Sequence, residues 1–166
     1  MAKSRQQVIA EAGNAMQAYQ RSTQAFDDAI SRALGLNPTD LRGLDWLADG
    51  PKSAGELSRG TGLSSAATTT LIDRLTEKGY VRRVPDPVDR RRVLVEMTPT
   101  GRDRVGRFYG PLVAEGMSLF EGISLAELER VRDWLRRARD LTDRHRDRIL
   151  DAGAAPERGE GRSGGG

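Results

Sequence analysis

The chain has 166 residues, 37% of them hydrophobic, which fits one domain of ordinary size or a small domain with helical extensions. It contains no cysteine, which excludes disulfide frameworks, thiolate metal sites and thiol-based redox sensing. The net charge is only +3, although 24 of the 27 basic residues are arginine, and with no apparent secretion signal or membrane span we expect a cytoplasmic protein.

The first predicted element is one long helix. Apolar residues recur at spacings of three and four through the first 34 residues, which is the period of an amphipathic helix. Residues 35–38 interrupt this pattern, and Thr39 is predicted to cap a short second helix. That helix is expected to turn Leu41, Leu44 and Leu47 inward.

Two further helices are predicted to meet across a glycine turn. Ser53 and Glu56 have the spacing of a capping box, which satisfies free backbone donors at the start of a helix. After the turn at residues 60–63, Ser64 is predicted to cap a second helix that runs to Lys78.

The second of these helices has two different faces. One is a predicted buried stripe of Thr68, Leu71, Ile72 and Leu75. The other carries small and mainly uncharged residues: Ser65, Ala66, Thr69, Thr70 and Asp73. A face selected only for solubility more often carries Glu, Lys and Arg. The pattern therefore favours close approach by another surface, although threonine also occurs on surfaces that have no function.

A hairpin with an arginine-rich loop is predicted next. Two runs rich in β-branched residues, 80–84 and 92–97, flank a segment that contains proline. From Arg82 to Arg92 there are five arginines and two aspartates. Guanidinium groups suit phosphates or a narrow groove of nucleic acid. The alternative, which composition alone favours, is a solvated surface loop.

The C-terminal part of the chain is predicted to be helical. Candidate inward positions on its first helix are Val105, Phe108, Leu112, Met117 and Phe120. A capping box at Ser124 and Glu127 opens a last helix, whose apolar stripe comprises Leu125, Leu128, Val131, Leu135, Ala138 and Leu141. The stripes at both ends of the chain have no obvious partner in its centre, so we expect two copies to bury them against each other.

No catalytic constellation is apparent in the sequence. His145 is the only histidine, which excludes histidine-based zinc sites and catalytic triads. The glycines at residues 60–62 are explained by the turn rather than by a phosphate-cradling loop. We therefore predict that the protein is not an enzyme and uses no metal or cofactor.

The order of helix, glycine turn, helix and arginine-tipped hairpin is the layout of winged helix-turn-helix proteins. Residues 63–75 and 78–83 resemble the recognition helix and first wing strand of the MarR family of bacterial transcriptional regulators. Residues 86–98, followed by Gly101, are similar to that family's D-x-x-D-R-R wing and the L-T-x-x-G segment after it, with Met97 in the leucine position. The implied fold is mainly α, with a small β-hairpin wing and long N- and C-terminal dimerisation helices.

The chain is thus expected to have four parts. These are an N-terminal dimerisation helix (1–36), a winged helix-turn-helix DNA-binding domain (37–100), C-terminal dimerisation helices (101–151) and a disordered tail (152–166). The resemblance implies a triangular homodimer whose two winged helices face the halves of a near-palindromic operator on double-stranded DNA, roughly 10 base pairs apart.

The function implied is that of a sequence-specific transcriptional regulator, a repressor released from DNA by a small-molecule effector of unidentified chemistry. The alternative is a winged helix used for non-specific architectural DNA binding or for protein contact. A specific regulator prefers its site by roughly 10³-fold or more, whereas an architectural protein shows little preference over random duplex.

On the recognition helix, Ser64 and Ser65 are expected to contact phosphates or base edges through hydroxyls and backbone amides. Thr69 and Thr70 are the candidates for direct base readout, since threonine can donate or accept a hydrogen bond and offer its methyl group to thymine. Ala66 permits close approach. Many members of the family have arginine at the position of Thr70, and its absence here shifts more of the binding onto the wing.

In the wing, the resemblance implies that Arg91 enters the minor groove and that Asp89 holds its guanidinium group. A narrow A·T-rich groove has the enhanced negative potential that an inserted arginine prefers. Asp89 could also cap its own loop as a turn residue. Arg90 and Arg92 are expected nearer the phosphates. Arg74, on the recognition helix, is interpreted either as a phosphate clamp or as part of an intrahelical pair with its neighbours.

Overall fold

The computed structural model describes residues 3–154, and the chain divides into two compact units after Val113. In chain order the elements are α1 (Arg5–Leu34), α2 (Pro38–Trp46), β1 (Lys52–Ser53), α3 (Ala54–Thr61), α4 (Ser65–Glu77), β2 (Val81–Pro85), β3 (Val93–Met97), α5 (Pro99–Gly116), a 3₁₀ turn (Met117–Phe120) and α6 (Leu125–Ala154). The predicted fold class, mainly helical with a small β wing in a winged helix-turn-helix, is confirmed.

The start of α2 differs from the prediction. Asn37, rather than Thr39, caps this helix: its side chain accepts a hydrogen bond from the backbone N–H of Asp40, and the Asp40 carboxylate accepts one from the N–H of Asn37. Pro38 occupies the first helical position, where its fixed φ suits the helix and its missing N–H costs nothing. The cap therefore lies one residue before the proline.

The wing belongs to a three-stranded antiparallel sheet in the order β1–β3–β2. The predicted hairpin is confirmed, with Val81 opposite Met97 and Pro85 opposite Val93. The additional strand, β1, pairs Lys52 with Val95. It has only two residues, too few to show an alternating pattern in the sequence.

The core of the first unit is formed by α2, α3, α4 and the sheet. Its buried residues are Leu36, Leu44, Leu47, Leu57, Leu71, Ile72, Leu75, Tyr80, Val81, Val95 and Met97. The predicted buried stripe of α4 is confirmed, because Thr68, Leu71, Ile72 and Leu75 are each at most 2% exposed. Burial of Thr68 is tolerated since its hydroxyl donates to the carbonyl of Ser64.

The chain just after α4 is tied to the end of α1. The Lys78 ammonium donates to the carbonyl oxygen of Gly35 at 2.6 Å, and the Tyr80 hydroxyl donates to that of Leu34 at 3.2 Å. These carbonyls lie at the C-terminus of a helix, where the dipole favours a cation. The long N-terminal helix and α4 are thereby held in a fixed relation.

The predicted inward positions on α5 are only partly buried within one chain. Val105 packs against the core, whereas Phe108 is 37% and Leu112 is 52% exposed. Burial of these two side chains against a second copy of the protein stays a prediction, because the structure contains a single chain. On α1 as well, Val8, Ile9 and Tyr19 are exposed.

In the second unit, the predicted capping box is confirmed, because Ser124 and Glu127 exchange hydrogen bonds at the start of α6. The predicted stripe of α6 includes Leu125, Val131, Leu135 and Leu141, all of which are exposed, as are Met117 and Phe120 before it. Helix α6 continues to Ala154, which corrects the predicted boundary at residue 151. The rest of the predicted tail, residues 155–166, lies outside the described residues.

Candidate nucleic-acid interface

The exposed face of α4 begins at a capped helix start. Ser64 caps the helix, with its Oγ accepting from the N–H of Ala67 at 3.3 Å. Ser65 and Ala66 follow in the first turn and are exposed. Because the first backbone amides of a helix have no partner within it, this end is suited to an anion such as phosphate.

Thr69 and Thr70 lie one turn further along and are also exposed. Their hydroxyls donate to backbone carbonyls four residues earlier, Thr69 to Ser65 at 3.0 Å and Thr70 to Ala66 at 3.1 Å. The structure thus brings the five predicted residues of the helix together on one small face, and the exposed carboxylate of Asp73 follows one turn further along.

Arg74 has a partner that neither interpretation of the sequence included. Its Nε and Nη2 both donate to the carboxylate of Asp40 on α2, with Nε 2.9 Å from Oδ1. The Asp40 side chain is fully buried, and that of Arg74 is one-third exposed. The two-pronged geometry fixes the guanidinium plane against α2. The bond therefore positions α4 against α2, and a contact between Arg74 and phosphate stays a prediction.

The alternative interpretation of Arg74, an intrahelical pair with a neighbour, differs from the structure. Asp73, the adjacent carboxylate, instead accepts from Arg83 of β2 at 2.6 Å. This exposed pair joins the recognition helix to the first wing strand, although exposed pairs of this kind contribute only about 0.2–1 kcal/mol. A cross-strand pair, Arg82 with Glu96, links β2 to β3.

The wing loop, residues 86–92, is organised by Asp86, which the sequence analysis did not single out. Asp86 is 8% exposed, and its Oδ1 accepts from the backbone N–H of Val88 and of Asp89. Its own N–H donates to the carbonyl of Arg92 at 3.0 Å. The sequence contained a signal for this role, because an aspartate side chain often accepts a hydrogen bond from the backbone two residues later and thereby stabilises a turn.

The other loop aspartate, Asp89, has the turn role that was left open. Its Oδ1 accepts from the backbone N–H of Arg91 at 3.1 Å. Within residues 3–154 no ion pair forms between the side chains of Asp89 and Arg91, so the implied grip on the guanidinium is absent from this structure. The nearby backbone amide satisfies the carboxylate, and the side chain of Arg91 is exposed.

Three arginines lie at the tip of the wing and all are exposed. Arg92 is near Asp86, with Nη1 3.8 Å from Oδ2. Among the described residues, Arg90 and Arg91 have no carboxylate within ion-pair distance. Their charge is therefore uncompensated at the tip, where it is available to an anionic partner.

A separate cavity of about 380 Å³ lies between α1, α2 and α5. Most of its lining residues are of polar types, and they comprise Thr23, Gln24, Asp27, Asp28, Ser31, Pro38, Leu41, Arg42, Asp45 and Tyr109. The Tyr109 hydroxyl donates to Asp27 at 2.6 Å, and its ring packs edge-on against Phe26. Desolvation, together with the hydrogen bond to Asp27, raises the pKa of Tyr109.

The pKa of Asp45 in this lining is also raised, first by desolvation and then by the carboxylates of Asp27 and Asp49. When the pKa of a carboxyl group is higher in the folded than in the unfolded state, the folded protein becomes less stable as the pH rises past the pKa of the unfolded state. We expect Asp45→Asn to increase the free energy of unfolding at pH 7 by up to about 0.5 kcal/mol.

Urea unfolding of Asp45→Asn between pH 3 and pH 7 checks this expectation. The increase in the free energy of unfolding over the parent protein should become smaller towards pH 3, where the carboxyl group of Asp45 is protonated in both folded and unfolded states. Asp103→Asn, which removes an exposed carboxylate on α5, serves as the control. A gain that stays constant across this pH range would show that ionisation of Asp45 is not its cause.

No helix within residues 3–154 has the length and apolar character needed to cross a lipid bilayer. In the same part of the chain, no three His, Cys, Asp or Glu side chains are grouped so that they could hold a metal ion.

Comparison with known proteins places these features in one family. The MarR family matches residues 34–92. An uncharacterized HTH-type transcriptional regulator of Bacillus subtilis, YcgE, is 38% identical over 128 residues, which cover 76% of this chain and 83% of YcgE. The HTH-type transcriptional repressor NicR of Pseudomonas putida is 35% identical over 51% of this chain and 53% of its own length.

The fold agrees with this assignment. The structure of a MarR family protein from Bacillus stearothermophilus superposes with a TM-score of 0.61 over 85% of this chain and 99% of its own, at 21% identity. The recognition helix, the strand β2 and the wing loop lie within the matched segment, and β3 follows directly after it. The chain belongs to the MarR family of DNA-binding, winged helix-turn-helix transcriptional regulators.

Proposed function

We propose that this regulator is a repressor that binds, as a homodimer, to a near-palindromic operator in double-stranded DNA. The observation that carries the proposal is the pairing of the small side chains exposed on residues 64–70 of α4 and its cap with the uncompensated Arg90 and Arg91 at the wing tip. Such a helix fits the major groove, and such a wing fits the adjacent minor groove. The name of NicR, a transcriptional repressor, supports repression rather than activation.

The proposed interface consists of Ser64, Ser65, Ala66, Thr69, Thr70, Asp89, Arg90, Arg91 and Arg92. Residues at the start of α4 contact phosphate, Thr69 and Thr70 face base edges, and Arg91 enters the minor groove. Asp89 supports this insertion through the loop backbone, because its bond to the N–H of Arg91 fixes the start of that side chain. Arg74 contributes indirectly by orienting α4.

Dimerisation is supported by the apolar side chains that one copy leaves in water. Tyr19 of α1, Leu112 of α5 and Leu135 of α6 are each more than half exposed. Removing such surface from water in a symmetric pair would be favourable by about 25 cal/mol for each Å² buried. Two recognition helices related by that symmetry would read half-sites roughly 10 base pairs apart.

We further propose that a small-molecule effector releases the protein from its operator. The cavity that Tyr109 and Asp27 line supports it, because it touches α1, α2 and α5, and α2 is joined to the recognition helix through Asp40 and Arg74. A ligand that binds one spacing of the recognition helices better than another would shift the dimer away from its operator-binding form. Such a compound should raise the melting temperature of the free protein and lower its affinity for the operator.

Selection of bound duplexes from a random pool tests the proposal as a whole. We expect an inverted repeat to emerge, and Arg91→Ala to weaken binding to it by about 10-fold, equivalent to about 1.4 kcal/mol. Arg21→Ala, which removes an exposed arginine from α1 outside the interface, should leave affinity unchanged. If binding is uniform across sequences and only salt-sensitive, the protein has the architectural role instead.

A further inference from the structure

The hydroxyl protons of Thr69 and Thr70 are already used inside α4. Each hydroxyl has a single proton, and in both residues it is donated to a backbone carbonyl of the preceding turn. Thr68 makes the same bond on the buried side of the helix. Three consecutive threonines therefore share one side-chain arrangement, and two of them present it to the outside.

This arrangement decides what the exposed face offers to a base pair. With the proton directed back into the helix, the hydroxyl oxygen of Thr69 or Thr70 can only accept a hydrogen bond from a base. The other outward group of each side chain is a methyl, and Ala66 adds a third methyl to the same face. The nearest arginine on the helix, Arg74, is occupied by Asp40.

The bases differ in how they match such a face. In the major groove, guanine presents only acceptors, N7 and O6, so it finds no donor at Thr69 or Thr70. An A·T pair presents both an amino donor, adenine N6, and the C5-methyl of thymine. Turning a threonine hydroxyl away from the helix to serve guanine would lose an internal hydrogen bond, a penalty of roughly five-fold in affinity.

We propose that Thr69 and Thr70 specify A·T pairs, chiefly through contact between their methyl groups and the C5-methyl of thymine. The hydroxyls act as acceptors for adenine N6, or for cytosine N4 at lower preference. This inference rests on the proposed major-groove role of α4. It predicts that the two half-site positions beneath these residues are A·T pairs and that methyl groups, not hydroxyl protons, carry the discrimination.

Two conservative variants separate the methyl from the hydroxyl. Thr69→Val keeps a methyl in place and removes the hydroxyl, whereas Thr69→Ser keeps the hydroxyl and removes the methyl. The full-length protein is titrated with its selected operator and with operators in which deoxyuridine replaces single thymines, which removes only the C5-methyl. The same pair of variants is made at Thr70, and melting temperatures confirm that each variant is folded.

We expect Thr69→Val to bind within about two-fold of the parent protein and Thr69→Ser to lose about four-fold, the value of one buried methyl group. Deoxyuridine at the contacted position should lower the affinity of the parent protein by a similar factor. It should not lower the affinity of the serine variant any further. Enrichment of a defined operator, with the valine variant weaker than the serine variant and no effect of deoxyuridine, would overturn the inference and leave the regulator role intact. Failure to enrich any operator would overturn both.

Discussion

Gly101→Ala is expected to destabilise the protein by about 3 kcal/mol or more, because an alanine Cβ has no room at this position. Gly101 is buried in the first turn of α5, and a Cβ built there would overlap the carbonyl oxygen of Tyr80. Backbone atoms cannot yield as a flexible side chain does. Overpacking a well-packed site costs typically 1–3 kcal/mol, and occasionally more.

Hydrogen bonds around Gly101 restrict the backbone movements that could relieve this overlap. Its N–H donates to the hydroxyl of Thr98, which itself donates to the carbonyl of Gly79, and the N–H of Thr98 donates to the carbonyl of Tyr80. Tyr80 is 3% exposed and belongs to the core. The close contact between α5 and the start of β2 therefore explains why a glycine occupies this position after the wing.

Gly106→Ala on the same helix is the matched control. No atom lies within 4 Å of a Cβ built at Gly106, so alanine should stabilise the helix by about 0.5–1 kcal/mol through its higher helical propensity. Urea unfolding of both variants at one fixed protein concentration gives the comparison, since the stability of any oligomer depends on concentration. Equal stabilities for the two variants would contradict the proposed overlap at Gly101.

Asp40→Ala is expected to cost about 3 kcal/mol of stability, the lower end of the range for breaking a buried ion pair. This carboxylate is fully buried, accepts two donors from Arg74 and takes part in the capping box of α2. Its loss removes three hydrogen bonds at once and leaves the partly buried guanidinium without a counter-charge. Because the same bonds hold α4 to α2, operator affinity should fall as well.

Asp73→Ala provides the comparison for Asp40→Ala. It removes a carboxylate from the neighbouring ion pair with Arg83, where both side chains are well exposed, so its expected cost is at most about 1 kcal/mol. Chemical denaturation measures the free energy of unfolding of both variants.

Arg74→Met removes the other partner of the buried pair and fills similar space without charge. It should also be destabilising, because it leaves the buried Asp40 carboxylate without a counter-charge. If Asp40→Ala costs no more than Asp73→Ala, the pair does not hold α4 in place.

The elements that the sequence predicted correctly depend on near neighbours. The capping box of Ser53 and Glu56 and the cap at Ser64 join residues three apart, so their spacing is visible in the chain. The buried stripe of α4 likewise follows from helical period. The cap of α2 is also local, and it was misplaced because the preference of proline for the first helical position was not applied at Pro38.

The exposed residues of the candidate interface were predicted from the sequence. The residues that hold them in position were not. The sequence suggested that Thr69, Thr70 and Arg91 face outward, which requires only the helical period and the position of the hairpin tip. It did not show that Asp86 organises the wing loop or that Asp40 fixes Arg74. The sequence did not reveal the partner of Arg74, because Asp40 is 34 residues away in the chain.

By itself, the sequence determined the helices, the caps at Ser53, Ser64 and Ser124, the hairpin and the face of α4, because these depend on contacts a few residues apart. Tertiary structure alone decided three features: the pairing of β1 with β3, the ion pair of Asp40 with Arg74, and the close approach of Gly101 to Tyr80. Each joins segments distant in the chain, and no local period or spacing encodes which distant group will be the partner. Packing of the core around α4 selects those partners, since a buried carboxylate or a backbone contact is stable only where a complementary group is already fixed.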